Sequence, residues 1–307
     1  MKSWVENKTI KKYEDRSGLT GLKQGPLVWS EVFLREVNRQ SNTGILHFWP
    51  MAQTVILGMM DSQVAQLDKG LASIGRAGYS PIIRSLGGLA VVADEGILNV
   101  TLILPNPSGH KVDLRESYQV MVDLIAQALS DFPFEVVSGE VATSYCPGTY
   151  DLSISGRKFA GLAQRIYQEA IAISAYISVS GNQVKRGQVV AEFYAASFAP
   201  QEVSDRFPQV DPNSMANLSD LVGQDVTVED MKTRIERVLI ENGAFLTTFY
   251  PSSDNMADFM ALGKTIKQSM EKYGIWEKIY EMERCDSHGS GCQSKTGFCQ
   301  GVGARIH

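Results

Sequence analysis

The segment Tyr145-Cys146-Pro147-Gly148-Thr149-Tyr150-Asp151-Leu152-Ser153-Ile154-Ser155-Gly156-Arg157-Lys158-Phe159-Ala160-Gly161 reads as a tight loop followed by a hairpin. Pro147-Gly148 enforces a turn, because proline fixes φ and glycine accepts backbone conformations that other residues avoid. Residues 150–155 then carry a strand pattern, and Ser155-Gly156 suits the short turn that sends the chain back. The fold-back carries Lys158 toward Cys146, twelve positions earlier. A thiol becomes a nucleophile as its thiolate, and a nearby cation favours that form. A lysine cation ~4 Å away is worth roughly 4 kcal/mol at an effective dielectric of 20. This spacing therefore points to acyl transfer through Cys146. The competing readings are a small buried hydrophobe at Cys146 and a solvated hairpin residue at Lys158.

Strand patterns surround this hairpin. Residues 134–137 and 170–179 read as strands, the second from its alternation of Ala, Ile, Ser and Tyr. Upstream, residues 44–50 and 53–57 form short apolar runs punctuated by Pro50 and Gly58, and residues 81–105 suggest three strands joined by tight turns. Helical spacing predicts helices over residues 27–39 and 115–129. Another is expected after Asp61, which would cap it, with Val64, Leu67 and Leu71 on its apolar face. Past residue 183 the pattern turns helical, most clearly over 227–240 and 256–282, while 198–212 suggests a connecting loop around a short helix. The expected fold is α+β: a mixed, largely antiparallel sheet over about residues 44–180 with helices around it. The expected divisions are a catalytic domain at 27–250, a helical extension at 251–284 and a Gly/Ser/Cys-rich tail at 285–307.

The 307 residues, 44% of them hydrophobic, suffice for a substantial core. A formal net charge of −5 offers no basic footprint for nucleic acid or an anionic membrane surface. No apolar run is long enough to span a bilayer, and the charged N-terminal dozen residues lack a signal-like apolar core. With four cysteines and no export signal, a cytoplasmic location without a disulfide framework is expected. Cys285, Cys292 and Cys299, with His288 and His307, are spaced too widely for the common zinc motifs, so no metal is expected. His47 and His110 are the only histidines in the sheet-rich part that could activate the thiol instead.

Between two expected strands lies Arg84-Ser85-Leu86-Gly87-Gly88-Leu89-Ala90-Val91-Val92-Ala93-Asp94, whose glycine pair would let backbone N–H groups approach a ligand. Residues 84–99 and 146–164 together resemble the lipoate-protein ligase and octanoyltransferase superfamily, which shares its fold with the catalytic domain of biotin-protein ligases. The resemblance spans about residues 27–200. It implies that Cys146 carries the acyl thioester, that Lys158 is the superfamily lysine beside it, and that Gly87 and Gly88 belong to the acyl-binding loop. Arg84, Gly87, Gly88, Gly148, Asp151 and Gly161 are expected to surround the substrate, with N–H groups near Gly87-Gly88 or Gly148 as oxyanion donors. Leu86, Val91 and Ile97 could line an acyl slot or simply be core.

The ATP-dependent ligases of the superfamily carry a second arginine, a third glycine and a histidine where this chain has Ser85, Leu89 and Ala93. No ATP and no other cofactor is therefore expected. The nearest subgroup, the lipoyl-relay amidotransferases, implies octanoyl or lipoyl transfer from the lysine of glycine cleavage H protein to the lipoyl domains of 2-oxoacid dehydrogenase complexes. The alternatives are octanoyl transfer from acyl carrier protein to glycine cleavage H protein, a silent module that binds an acyl group or a lipoyl domain, and a Cys-His hydrolase.

Overall fold

A computed structural model describes residues 1–84, 87–106, 113–199 and 206–272. Leu86, His110 and the tail with Cys285, Cys292, Cys299, His288 and His307 lie outside them. In chain order come α1 (Lys2–Val5), β1 (Thr9–Glu14), α2 (Gly25–Asn38), β2 (Thr43–Phe48), β3 (Thr54–Leu57), α3 (Leu67–Arg76), β4 (Ser80–Ile83), β5 (Val91–Ala93) and β6 (Ile97–Pro105). Then follow α4 (Leu114–Ala128), β7 (Val137–Ser138), β8 (Leu152–Ile154), β9 (Arg157–Tyr167), β10 (Ala170–Ser178), α5 (Gln183–Ser197), α6 (Leu218–Val222), α7 (Val228–Glu241), β11 (Phe245–Thr248) and α8 (Ser253–Lys272).

The large sheet has the order β11-β1-β2-β6-β10-β9-β8-β7, and a small one has the order β4-β3-β5. Three pairings are parallel, β1 with β11, β1 with β2, and β3 with β4, and the rest are antiparallel, as expected of a mixed sheet. The period-two alternation of β10 explains how this sheet is covered on both faces. Ile171, Ile173, Ala175 and Ile177 point into a core with Val120, Leu124 and Ile125 of α4 and with Met231, Ile235 and Val238 of α7. Ala170 and Ala172 face α2, at Trp29, Val32 and Phe33, and α8 packs on that side through Phe259 and Leu262. Tyr176, next on this face, meets the small sheet and its helices, where Ile56, Leu57, Leu71, Ile74, Val190 and Phe193 cluster. Each isoleucine buried this way contributes about 1.5–3 kcal/mol.

Several expectations are corrected. The three strands over residues 81–105 are not consecutive neighbours: β4 and β5 flank β3, and β6 crosses into the large sheet. Asp61 does not cap a long helix. It sits in a short 3-10 turn, accepting the Gly58 N–H at 2.7 Å and the Tyr194 hydroxyl at 2.9 Å, and α3 starts only at Leu67. The strand expected at 134–137 shrinks to Val137–Ser138. Residues 9–14 precede the expected domain start at 27, yet β1 lies inside the sheet, and β11 sits in the region read as helical. The expected start near 227 holds for a physical reason: the Thr227 hydroxyl accepts the Asp230 N–H while the Asp230 carboxylate accepts the Thr227 N–H. The helix expected over 256–282 is described as Ser253–Lys272, and its remainder lies outside the described residues.

Candidate active site

Ser155 and Gly156 both take positive φ, +52° and +76°, the two-residue turn whose twist matches that of the flanking strands. It pairs Ile154 with Arg157 and lays Lys158 back beside the Cys146 loop. Gly161 packs against this arrangement, the position a Cβ would take lying 3.5 Å from the Lys158 Nζ and 3.6 Å from the Asp151 Oδ1, ordinary contact distances.

Lys158 is buried and holds the loop from within. Its Nζ donates to the Cys146 carbonyl at 2.8 Å, the Tyr145 carbonyl at 3.0 Å and the Ser144 Oγ at 3.1 Å, and it pairs with the Asp151 carboxylate at 2.9 Å. The other Asp151 oxygen accepts the N–H groups of Gly148 at 3.1 Å and Val141 at 3.3 Å. Burial raises the Asp151 carboxyl above its ordinary range, and Lys158 and these N–H groups pull it back. Tyr145 anchors the loop from the other side, its hydroxyl 2.5 Å from that of Tyr176 and accepting from the Gln183 Nε2 at 2.8 Å. Burial pushes the Tyr145 hydroxyl up to about 12, so it remains a neutral hydrogen-bonding group near pH 7.

Held this way, Cys146 has φ +48°, in the left-handed region that residues with a side chain seldom occupy. Its half-buried sulfur accepts the Leu89 N–H at 3.2 Å and the Arg84 Nη2 at 3.5 Å. The Arg84 guanidinium thus reaches the sulfur, and the Lys158 ammonium reaches the carbonyls of Tyr145 and Cys146 beneath it. Gly88, at φ +94°, is pinned in the same place, because a Cβ there would lie 2.6 Å from the Arg84 Nη2 and 3.1 Å from the Cys146 Sγ.

The thiol opens onto a cavity of about 290 Å³. Cys146, Lys158, Arg84, Gly87, Gly88, Gly148 and Gly161 all line it, joined by Trp49, Tyr118, Gln164 and Ser174. Asp151, expected among the substrate contacts, instead stands behind Lys158 as its counter-ion. The Gly148 N–H is committed to Asp151 rather than to an oxyanion. Val91 lines the cavity, and Ile97 is buried on β6. Among the described residues no group of three or more His, Cys, Asp and Glu could hold a metal ion. His47 is not the thiol's partner: it is fully buried, with Nε2 3.2 Å from Asp15 and Nδ1 3.5 Å from the Ser30 hydroxyl. Ser144, Leu89 and Tyr176 were not foreseen. Leu89 takes part through its N–H, which no side-chain pattern marks, and Tyr176 follows from the alternation of β10 only once the covering of each face is known.

The model of the lipoyl protein ligase A/B catalytic domain matches residues 25–240. An octanoyl-[GcvH]:protein N-octanoyltransferase from Exiguobacterium sibiricum is 41% identical over 199 residues, 65% of this chain and 72% of that one. A lipoyl-[GcvH]:protein N-lipoyltransferase from Listeria monocytogenes is 35% identical over 205 residues, 67% of this chain and 73% of that one. The solved structure of a lipoate-protein ligase A bound with ATP superposes with a TM-score of 0.66 at 19% identity, over 89% of this chain and 99% of that one, a likeness of fold. The chain thus belongs to the family of the lipoyl protein ligase A/B catalytic domain, with a cysteine at the mouth of its cavity.

Proposed function

We propose that this protein moves an octanoyl group from the lysine of glycine cleavage H protein to the lysine of a lipoyl domain, through a thioester on Cys146. The observation that carries this reading is the thiol itself, held at φ +48° on the rim of a 290 Å³ cavity with two hydrogen-bond donors at its sulfur. A residue held in a sparsely populated conformation by buried partners marks a site where position matters more than local stability. Relatives at 35% and 41% identity bear names of this reaction class.

In the first half-reaction the thiolate attacks the carbonyl carbon of the octanoyl-lysine amide. The carbon–nitrogen bond breaks, and the proton given up by the thiol departs with the lysine amine. In the second, the amine of the acceptor lysine attacks the thioester, an amide forms, and the thiol regains its proton. Amide to thioester is uphill, so the rate depends on positioning and on donors that meet the developing oxyanion. The N–H groups of Gly87 and Gly88, which line the cavity beside the sulfur, are the candidates for that task. Tyr118 of α4 and Gln164 of β9 line the same cavity. No ATP is needed, because the donor is already acylated. A cytoplasmic location is part of this reading, and no described helix is long and apolar enough to cross a membrane.

The Listeria relative supports a second substrate, lipoyl in place of octanoyl, handled by the same chemistry. The test is a transfer assay with octanoylated glycine cleavage H protein as donor and an isolated lipoyl domain as acceptor, without nucleotide. Octanoylation of the domain is expected. Octanoylation only from free octanoate plus ATP would contradict the reading, and transfer only from acylated carrier protein would replace the donor.

A further inference from the structure

The backbone just after β3 closes on itself. Asp61 donates its N–H to the Gly58 carbonyl at 3.1 Å, and its carboxylate accepts the Gly58 N–H at 2.7 Å. The other carboxylate oxygen accepts the Tyr194 hydroxyl at 2.9 Å, which ties the turn to α5. Gly58, Asp61 and Tyr194 are all buried, so one residue fixes both backbone groups of Gly58 away from water. The glycine loop rests on this point. A Cβ at Gly58 would lie 1.9 Å from the Gly88 carbonyl oxygen and 2.8 Å from the carbonyl carbon, distances that no side-chain carbon keeps from backbone. The φ of Gly58 is not positive, so contact with Gly88 rather than backbone conformation calls for glycine there.

The Gly88–Leu89 peptide carries the consequence. A trans peptide directs its carbonyl and its N–H to opposite sides. With the carbonyl against Gly58, the Leu89 N–H faces the other way, and it meets the Cys146 Sγ at 3.2 Å. The Leu89 carbonyl is held in turn by the Arg84 Nη2 at 2.9 Å. We propose that Gly58 is a positioning residue for the nucleophile: it seats the Gly88 carbonyl, which aims the Leu89 N–H at the Cys146 sulfur, and Asp61 keeps Gly58 in place. The assignment rests on the acyl-transfer reading and specifies what orients its nucleophile. Gly58 is not one of the residues that line the cavity, so its effect on the reaction passes through the Gly88–Leu89 peptide.

The test is acylation of the full-length protein by p-nitrophenyl octanoate, an activated ester that needs no protein donor. The sulfur–acyl bond forms, the ester carbon–oxygen bond breaks, p-nitrophenolate leaves and buffer takes the thiol proton, so the burst of nitrophenolate reports the thioester. Cys146→Ser is the blank for the cysteines of the tail. In Gly58→Ala the added methyl pushes the Gly88 carbonyl away and turns the Leu89 N–H off the sulfur. The burst rate at saturating ester is expected to fall at least about tenfold, since a displacement of about 1 Å near the chemistry suffices for that. The ester concentration giving half the maximal rate should change far less, because the other walls of the cavity stand. Asp61→Ala leaves the Gly58 N–H without its acceptor and is expected to lose rate in the same way. Asp61→Asn, whose side-chain oxygen still accepts that N–H, recovers part of it. Circular dichroism checks each fold, and if Gly58→Ala does not fold the Asp61 pair carries the test. Crystal structures of the folded variants read the peptide directly, whatever the acyl donor proves to be, so failure of this assignment stays distinct from failure of the transfer reading. A Leu89 N–H that still donates to Cys146 in the variants overturns the assignment, and so does a wild-type burst rate in folded Gly58→Ala or in Asp61→Ala.

Discussion

Cys146 combines two demands that oppose each other locally. Its side chain must reach the cavity, which places the backbone at φ +48°, and a residue with a Cβ prefers to leave that region by roughly 1–2 kcal/mol. Lys158, bonded to the carbonyls on both sides of that backbone, supplies the compensation. Gly88 faces the converse problem. At φ +94°, with the Arg84 Nη2 and the Cys146 Sγ closing on its Cα, it has room for hydrogen alone. Gly88→Ala is expected to cut transfer at least about tenfold by displacing the guanidinium and the thiol, in line with the cost of misplaced reacting groups. Because Gly88 lies on an exposed loop, the melting temperature should fall by only a few degrees, and a transfer assay beside a thermal melt checks both.

At the scale of elements, the β8–β9 hairpin was legible because its signals are local: Pro147-Gly148, the alternation that follows, and Ser155-Gly156. The Arg84–Cys146 contact was not legible, because it joins segments 62 positions apart and depends on how β4 and β5 flank β3. For the same reason β4, β5 and β6 were recognisable as strands while their partners were not. The turn after β3 carries a measurable consequence. Burial pushes the Asp61 carboxyl up to about 6, against the Gly58 N–H, Tyr194 and Arg84. A carboxyl raised in the folded state binds more protons folded than unfolded, so it subtracts stability as pH rises from about 4 through about 6. His47 acts in the opposite sense: burial holds it below the ordinary histidine range, and its contribution is lost as pH falls. Asp61→Asn leaves His47 intact, so the difference between the two proteins isolates Asp61. Between pH 5 and pH 7 the wild type should lose about 1 kcal/mol more unfolding free energy in urea than the variant. An equal loss in both would show that Asp61 is not held in its neutral form.

For the whole molecule, the α+β class and the helices over α2, α4 and α7 followed from periodicity, since each presents one apolar stripe to one sheet face. The strands β1 and β11 did not, because both lie far from the hairpin in sequence and their burial patterns show no clean alternation. Their place at the far edge of the large sheet leaves free the cavity between the small sheet and strands β9 and β10, into which the proposed reading puts the acyl group. The central claim is that the thiol receives it. The direct measurement is intact mass spectrometry after incubation with octanoylated glycine cleavage H protein, without ATP, on the wild type and on Cys146→Ser. The account predicts a hydroxylamine-labile octanoyl adduct on Cys146 in the wild type, and in Cys146→Ser neither a thioester nor onward transfer. Wild-type rates of transfer from the Cys146→Ser protein would contradict it.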